Sequence, residues 1–496
     1  MREKGAMNAY EEGLQLSRRG NHALAIERFE QALARSPDDA RVLFALGNTA
    51  RALGLARPAE AFFRRVLDAE PDRLEALVNL ANLLRSQGHF EQAGQILRPA
   101  LARNPQSAEL LLTLGSLHRE TGDPSRAEEY YRQALAQRPD YAPALGNLAD
   151  LLADDGDVDE ALALYDRVLR QDKDNAQARM NRAVLHLLHG DLKDGWRDYA
   201  ARLKLPGKVP AATHRLARWD GSPLRRQRLL VTAEQGVGDQ IMFASMIPEL
   251  AAQAGIVLEC EPRLVPLFAR SFANVTVRPW DAETKGGVTT TRYGWLKGVG
   301  GATCAVEMGT LPRYLRASID NFPKPHAYLM PDADEVARWR SSFGPSIGIC
   351  WRSGKTGGHR ALQYAPLPAW AAFVREWQGN VVCAQYDATA EEIAELENLS
   401  GRKITVPQAI DQKNELDRAC AMLCALDAVV SAPTAVSWLA AAAGVPTCKI
   451  LYDTSWTSFG QTYEPFAPAC VCVMPQRRGD WAECFDKTLR MLPAPP

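Results

Sequence analysis

The hydrophobic and small residues in the first third of the chain recur with a period of 34 residues. Large apolar residues take one position of the period, small residues take two others, and proline takes a fourth. A fixed period of this length is typical of stacked helical hairpins, since each hairpin needs its neighbours to cover its apolar face. The four series are Phe29, Phe63, Leu97, Tyr131, Tyr165 and Tyr199; Ala25, Ala59, Ala93, Ala127 and Ala161; Gly13, Gly47, Ala81, Gly115, Ala149 and Ala183; and Pro37, Pro71, Pro105 and Pro139.

This pattern resembles the tetratricopeptide repeat and covers about residues 6–200 in six units. The resemblance implies that each unit is a pair of antiparallel helices and that the units stack into an α-solenoid with a concave groove. The sixth unit, GDLKDGWRDYAARL, has Gly195 where earlier units have alanine, and no proline closes it. This departure predicts a unit that caps the end of the stack.

A concave groove of this kind commonly holds an extended or helical peptide, so the repeats predict a polypeptide partner. Several asparagines lie on the first helices of their units, near the positions that face the groove, where an amide could hydrogen-bond a bound backbone. They are Asn48, Asn79, Asn82, Asn147 and Asn181, and ordinary surface asparagines are the alternative. Two alternatives stay open, namely that the repeats only form a homodimer or that they only stiffen the chain.

Beyond residue 227 the helical period gives way to short apolar runs that alternate with helical segments. The runs are RLLVT, IVLECE and VTVRP, and then SIGICW, NVVCAQ, KITV, DAVVS and CKIL. Strands that are apolar throughout and alternate with helices are typical of parallel sheets covered on both faces. We therefore expect an α + α/β protein, in which two Rossmann-like halves face each other across a cleft.

The same change of pattern predicts the domain boundaries. A segment with three prolines and no helical period separates the repeats from the sheets. The predicted parts are a solenoid at 1–202, a linker at 203–227, a first α/β domain at 228–335, and a second at 336–496 that ends in a closing helix, GDWAECFDKTLRML.

Composition narrows the class of partner. The 58 Lys and Arg residues nearly balance the 59 Asp and Glu residues, so the chain lacks the positive charge expected of a nucleic-acid-binding protein. No apolar run approaches the length of a membrane span, and we expect a cytoplasmic protein.

The ten cysteines form no CxxC pair, which favours reduced core thiols over metal ligands.

The segment AEQGVGD follows a predicted strand and opens a predicted helix. Gly236 and Gly238 would let a ligand approach the backbone closely, and the first turn of the helix offers free N–H groups. The segment has neither the GxGxxG spacing of a dinucleotide site nor the GK[ST] of a P-loop, which disfavours hydride transfer and nucleotide hydrolysis. Asp239 is either a helix-capping carboxylate or a general base toward a hydroxyl group.

Three motifs, AEQGVGDQIMFA, GICWRSGKTGGHRALQYAPLPAW and LDAVVSAPTAVSWLAAAAGVP, together resemble the GT-B glycosyltransferases of the heptosyltransferase group in the form fused behind tetratricopeptide repeats. The resemblance also includes the motif GWRDYAARL at the junction between the repeats and the sheets. In its architecture the chain is similar to the repeat-bearing protein and flagellin O-glycosyltransferases. The resemblance implies an enzyme with no metal and no cofactor, which takes its sugar from a nucleotide-sugar co-substrate. It also implies that Asp239 deprotonates the acceptor hydroxyl, with His359 as the alternative base and Glu234 as a spare candidate.

The donor site is predicted at the ends of three strands of the second half. Arg352, Lys355 and Arg360 lie on a glycine-rich loop, where cations suit the phosphates of a sugar nucleotide. Solvated loop charges are the alternative. The segment Ser431 to Ala435 ends a strand and opens a helix, so that Ser431, Thr434 and Ala435 could hold a phosphate oxygen. We assign Gln385, with Tyr386 and Asp387, to the base or ribose; ordinary turn residues are the alternative.

Two positions depart from the family pattern. Relatives usually carry Asp where this chain has Pro433 and His where it has Trp438. Either the donor differs from ADP-heptose or catalysis has been lost. A donor with one phosphate and a carboxylate, such as a CMP-activated nonulosonic acid, would not require an acid at position 433, where two negative charges would repel each other.

We therefore predict a glycosyltransferase that moves a sugar to a Ser or Thr of a protein recruited by the repeats, with flagellin as the candidate acceptor. One alternative is a non-catalytic tetratricopeptide adaptor with a degenerate transferase domain. The other is a transferase that acts on lipopolysaccharide or another glycan.

Overall fold

The computed structural model describes residues 2–206, 210–225, 227–285, 288–324, 326–354 and 363–493. The chain divides into two units, Met1–Ala178 and Arg179–Pro496. Lys355, His359 and Arg360, which were predicted from the sequence as phosphate ligands and as an alternative base, lie outside the described residues.

The first unit consists of helices in antiparallel pairs, as the 34-residue period predicts. Helices α1 and α2 form the first pair, and each following pair begins 34 residues or so later. The helices are α1 (Arg2–Arg18), α2 (His22–Leu33), α3 (Ala40–Ala52), α4 (Ala56–Ala69), α5 (Leu74–Ser86), α6 (Phe90–Arg103), α7 (Ala108–Glu120), α8 (Pro124–Gln137), α9 (Ala142–Asp155) and α10 (Val158–Gln171), followed by α11 (Ala176–Leu188) and α12 (Leu192–Tyr199).

Small residues are required where the two helices of a pair cross. A Cβ atom added to Gly47 would lie 2.6 Å from the Phe63 ring, and one added to Gly115 would lie 2.6 Å from the Tyr131 ring. Phe63 is fully buried, so its ring cannot move aside to make room for a larger residue at position 47. The turn within each pair holds a second glycine series, which sequence reasoning missed, with φ between 74° and 92°: Gly20, Gly54, Gly88, Gly122, Gly156 and Gly190.

We expect Gly47→Ala to lower the free energy of unfolding of the first unit by about 1–3 kcal/mol, because the added methyl group overpacks the Phe63 contact. All eleven tryptophans lie beyond residue 195. Urea unfolding followed by circular dichroism at 222 nm should therefore shift, while unfolding followed by tryptophan emission should not.

Gly146→Ala provides the matched control, because Gly146 also lies inside a helix but nothing surrounds its added Cβ within 4 Å. Alanine should stabilise that helix by about 0.5–1 kcal/mol. Equal effects of the two substitutions on the dichroism transition would contradict the packing argument.

The second unit contains two five-stranded sheets in which every strand pair is parallel. The first sheet has the order β2 (Ala217–Arg218), β8 (Cys304–Glu307), β3 (Arg228–Thr232), β4 (Gly255–Cys260) and β5 (Val275–Pro279). The second has the order β10 (Asn380–Cys383), β9 (Ser346–Cys350), β11 (Ala428–Ser431), β12 (Thr447–Ile450) and β13 (Cys470–Val473). A small third sheet joins β1 (Ala211–Ala212), β7 (Val288–Thr291) and β6 (Ala282–Lys285). The prediction of parallel sheets alternating with helices is confirmed.

One predicted strand is wrong. The run KITV pairs with the second sheet only through a single bridge from Thr405 to Val382. Pro407 follows directly and has no N–H to continue the ladder.

Helices connect the strands of both sheets, and the closing helix is present. They are α13 (Val237–Ala244), α14 (Ile247–Ala251), α15 (Val265–Ser271), α16 (Leu311–Leu315), α17 (Ala333–Phe343), α18 (Leu367–Glu376), α19 (Ala390–Ser400), α20 (Leu416–Cys424), α21 (Ala435–Ala442) and α22 (Trp481–Met491). None of the described helices is long and apolar enough to cross a membrane. The ten cysteines form no disulfide, and nine of them are buried.

The end of the sixth helix pair belongs to the core of the second unit. Trp196 on α12 is 2 % exposed and packs edge-on against Phe243, Phe459 and Phe466, with ring centroids 5.6–6.5 Å apart. Leu192 is buried in the same cluster. This pair is therefore built into the α/β core by its aromatic residues.

Candidate functional site

A cavity of about 530 Å³ lies where the carboxyl ends of the two five-stranded sheets meet. This edge is where open parallel sheets bind their ligands, because helix N-termini and strand-end loops converge there. The first half contributes Val237, Ile241 and Arg263; the second contributes Ser353, Gly354, Ala384, Tyr386, Asp387, Gln412, Lys413, Leu416, Ala419, Met422, Leu423, Ala435, Val436 and Leu439. We call this space the interdomain cavity.

The N-terminus of α13 lies against the N-terminus of α21. A Cβ atom added to Gly238 would lie 3.5 Å from Cα of Ala435 and 3.3 Å from Cδ1 of Trp438, so a side chain there would press on the opposite helix. Thr434 caps α21 by accepting a hydrogen bond from the Val436 N–H at 3.2 Å. The structure thus brings Gly238, Thr434 and Ala435 together, as the strand-end rule predicts.

Asp239 lies in the first turn of α13. Its Oδ2 accepts a hydrogen bond from the Gly236 N–H at 3.2 Å, and Gly236 itself is exposed. The neighbours Val237 and Ile241, four residues apart, share the face of the helix that lines the interdomain cavity, and Asp239 lies about 200° around the helix from them. Asp239 therefore has the capping geometry and is not among the described residues that line this cavity.

Arg352 is engaged by two carboxylates. Its Nε and Nη2 donate to the two oxygens of Glu392 at 2.6 and 2.7 Å, and its Nη1 donates to Asp387 at 2.9 Å. The hydrogen bond to Glu392 raises the pKa of the Arg352 guanidinium above its ordinary value. Arg352 thus ties the loop after β9 to the loop after β10 and to the first turn of α19, and its predicted phosphate contact stays a prediction.

Gln385 and Ser431 are also held by internal contacts. The side chain of Gln385 is buried, and its Oε1 accepts hydrogen bonds from the N–H groups of Trp351 and Arg352 at 3.1 and 2.9 Å. The fully buried Ser431 hydroxyl donates to its neighbour's carbonyl oxygen, on Ala432, at 2.7 Å. Both residues shape the strand ends that border the cavity, and neither is among its described lining.

Four polar residues of the cavity were missed by sequence reasoning, namely Arg263, Ser353, Gln412 and Lys413. Arg263 follows the end of β4 closely, and the strand-end rule could have found it. Its Nη1 donates to the Lys413 carbonyl oxygen at 2.7 Å, which links the two halves across the cavity mouth. Gln412 and Lys413 lie in a loop with no sequence signal for a ligand.

The junction motif GWRDYAARL packs directly beneath the AEQGVGD turn. The Arg202 guanidinium donates to both oxygens of Glu234 at 2.6 and 3.0 Å, and both side chains are buried. The Tyr199 hydroxyl hydrogen-bonds the side chain of Gln235, whose φ of 62° is unusual for a residue with a side chain. Glu234, the spare candidate base, is therefore part of a buried ion pair that holds the turn.

Glu259 is a buried carboxyl group that sequence reasoning did not single out. Its Oε2 accepts hydrogen bonds from the Ala233 N–H and the Tyr293 hydroxyl, both at 3.1 Å, while its Oε1 has no partner among the described residues. Burial raises the pKa of Glu259 to about 7. The available signal was a glutamate next to the end of an otherwise apolar strand.

Comparison with known proteins identifies the first part of the chain. Tetratricopeptide repeat models match residues 16–80, 78–142 and 118–185. Residues 16–185 are tetratricopeptide repeats. The prediction of a tetratricopeptide solenoid is thereby confirmed, and repeats of this family mediate protein–protein interaction.

Three similar proteins match between 37% and 59% of this chain. Protein FlbA of Caulobacter vibrioides is 32% identical over 303 residues, which are 59% of this chain and 51% of FlbA. The chain thus spans about half the length of that relative. A thermophilic tetratricopeptide protein of Thermus thermophilus is 30% identical over 37% of this chain and 99% of its own, with a TM-score of 0.34. The pilF protein of Pseudomonas aeruginosa is 22% identical over 41% and 91%, also with a TM-score of 0.34.

Proposed function

We propose that the protein is a GT-B glycosyltransferase that binds a nucleotide sugar in the interdomain cavity and transfers the sugar to a polypeptide held by the tetratricopeptide repeats. The observation that carries this proposal is the meeting of both carboxyl edges and two helix N-termini at one cavity. A volume of about 530 Å³ suits a ligand of nucleotide size.

The lining of the cavity divides into an apolar part and a polar part. Leu416, Met422, Leu423 and Leu439 supply an apolar wall suited to a base ring, beside the Tyr386 ring. Lys413 adds positive charge at the mouth, where Arg263 is already paired with Glu261 at 2.7 Å, and the N–H groups at the start of α21 favour an anion. This combination matches a ligand with an aromatic ring at one end and a phosphate at the other.

The proposed polypeptide site is the surface of the first helices of the repeats. First helices of neighbouring repeats contact one another. Polar side chains bridge them: Asn79 Nδ2 donates to Asn48 Oδ1 at 2.8 Å, and Asn147 Nδ2 donates to Ser116 Oγ at 3.1 Å. Such amides keep unused hydrogen-bonding capacity for a peptide backbone. Within this proposal flagellin is the candidate acceptor, and Asp239 is the base only toward a Ser or Thr hydroxyl that reaches the face of α13 turned away from the lining of the interdomain cavity.

Nucleotide binding tests the proposal. We expect one of UDP, ADP, GDP and CMP to stabilise the second unit against heat, by about 2.7 kcal/mol when the nucleotide is present at 100 times its Kd. Lys413→Ala should weaken that nucleotide about tenfold, because it removes a charge-assisted contact. Tryptophan emission during heating is the measurement.

Lys403→Ala is the matched control, because Lys403 is also exposed but pairs with Glu397 away from the cavity. Its nucleotide affinity should equal that of the wild type. Failure of all four nucleotides to stabilise the protein, or equal weakening by both lysine substitutions, would count against binding in the interdomain cavity.

A non-catalytic adaptor is the second candidate, and the position of Arg352 favours it. A guanidinium that is already paired with Glu392 and Asp387 is poorly placed to neutralise a leaving phosphate. An adaptor would bind its nucleotide without releasing a sugar from it. Mass spectrometry of flagellin incubated with the protein and a CMP-activated nonulosonic acid separates the two, since only a transferase adds the mass of the sugar.

A further inference from the structure

A second cavity, of about 330 Å³, lies at the carboxyl edge of the first sheet. It borders the sheet face that carries Leu230, Val257 and Ala305, whereas Leu229 and Val231 face the other core. It shares no lining residue with the interdomain cavity. Its lining comprises Leu203, Pro210, Ala212, His214, Leu216, Arg218, Thr232, Ala233, Thr291, Tyr293, Ala305, Val306 and Glu307.

Polar side chains at the ends of neighbouring strands form one side of this second cavity. Thr232 of β3 is in register with Glu307 of β8, so both side chains point to the same face of the sheet. On the other side of β3, Glu259 of β4 accepts hydrogen bonds from the backbone of Ala233 and from the hydroxyl of Tyr293, which both line the cavity. The unpartnered Oε1 of Glu259 is thus a buried polar atom directly behind the cavity wall.

Glu307 neutralises the charge of Arg218, which also lines the second cavity, and keeps one carboxylate oxygen as a hydrogen-bond acceptor for a ligand. Its Oε2 accepts hydrogen bonds from Arg218 Nη2 at 2.8 Å and from the Thr310 hydroxyl at 3.1 Å. The Oε1 atom makes no hydrogen bond among the described residues. Since the charge of Arg218 is already balanced, the cavity lacks the excess positive charge that would select a phosphate.

The rings of His214 and Tyr293 form the opposite side of the second cavity. The imidazole of His214 meets the ring of Tyr293 edge to face, with centroids 5.0 Å apart. The Nδ1 of His214 accepts a hydrogen bond from the Leu216 N–H at 3.4 Å, which leaves the proton on Nε2 as a donor in the neutral ring. Burial lowers the pKa of His214 and so favours that neutral form.

We propose that this second cavity binds a saccharide unit. Each sugar hydroxyl both donates and accepts hydrogen bonds, so it complements an uncharged imidazole N–H on one side and a carboxylate oxygen on the other. The C–H face of a sugar ring packs against aromatic rings such as that of Tyr293. The volume lies at the small end for ligand cavities, which suits one or two sugar rings. This inference does not depend on nucleotide binding in the interdomain cavity.

Saturation-transfer difference NMR on the full chain tests the proposal. The probes are glucose, galactose, N-acetylglucosamine, rhamnose and N-acetylneuraminic acid, each at millimolar concentration. We expect at least one sugar to receive saturation, and we expect His214→Ala and Glu307→Gln each to weaken its affinity about tenfold, the effect of one lost hydrogen bond. His326→Ala is the control, because His326 is exposed and bonds only the nearby Lys324 carbonyl among the described residues.

Competition locates the bound sugar. Neither inorganic phosphate nor the four nucleotides should displace it. Any one of four results would overturn the assignment. None of the five sugars receives saturation, the signal is unchanged in both variants, His326→Ala weakens the sugar as much as they do, or phosphate or a nucleotide displaces the sugar. A protein that binds no nucleotide but passes these tests would refute the proposed function and leave the saccharide site standing.

Discussion

Replacement of Arg202 by alanine is expected to lower the free energy of unfolding of the second unit by about 3–5 kcal/mol. Arg202 and Glu234 pair with side chains only 4% and 0% exposed, so the substitution leaves a buried carboxylate without its counter-charge. The Gly309 N–H would remain as its donor. Urea unfolding followed by tryptophan emission measures the effect, because every tryptophan lies beyond residue 195.

Two further variants separate the ion pair from general damage. Arg340→Ala removes an exposed ion pair with Asp427 and should cost less than about 1 kcal/mol. The double variant Arg202→Met, Glu234→Met removes both charges and should recover most of the loss, since an apolar pair of similar size needs no counter-charge. A loss below about 1 kcal/mol in Arg202→Ala would show that water or another donor replaces the guanidinium.

The stability of the second unit should fall by about 3 kcal/mol as pH rises from 4.5 to 7, through Glu259 alone. Burial raises the pKa of Glu259 from 4.5 to about 7, so the folded chain keeps a proton that the unfolded chain has already released. The stabilising contribution is complete below pH 4.5, declines as pH rises to about 7, and changes no further above it. Urea unfolding at half-unit steps between pH 5 and 8 measures this slope.

Glu259→Gln should flatten the slope, because the amide reproduces the neutral acid, accepting from Ala233 and Tyr293 without titrating. Glu376→Gln replaces an exposed glutamate and should leave a curve parallel to the wild type. A Glu259→Gln protein with the wild-type slope would show that the proton resides on another group.

The repeat region could be predicted from the sequence because its contacts are local and recur. The contact between Gly47 and Phe63 spans 16 residues, and Gly115 and Tyr131 repeat it two units later. The turn glycines repeat as well, from Gly20 to Gly190. A pattern that appears several times in one chain reveals which positions must be small and which must be large.

The position of the interdomain cavity was also within reach of the sequence. Apolar strands followed by helices predict parallel sheets, and parallel strands bring their carboxyl ends to one edge. That rule places Gly238 near Thr434 and Ala435 before any side chain is considered. It does not reveal which polar residues at the edge also pair within the protein, as Arg352 and Gln385 do.

The sequence by itself determined the period of the repeats, the alternation of apolar strands with helices and the edge at which the strand ends gather, because each follows from the periodicity of side chains along the backbone. Only the tertiary structure decided which charges pair: Arg352 with Glu392, 40 residues away, and Arg202 with Glu234, 32 residues away. It also decided that Glu259 is buried with one oxygen unpartnered. Pairing and burial depend on the surroundings of a side chain in space, and distant segments create those surroundings only when the chain has folded.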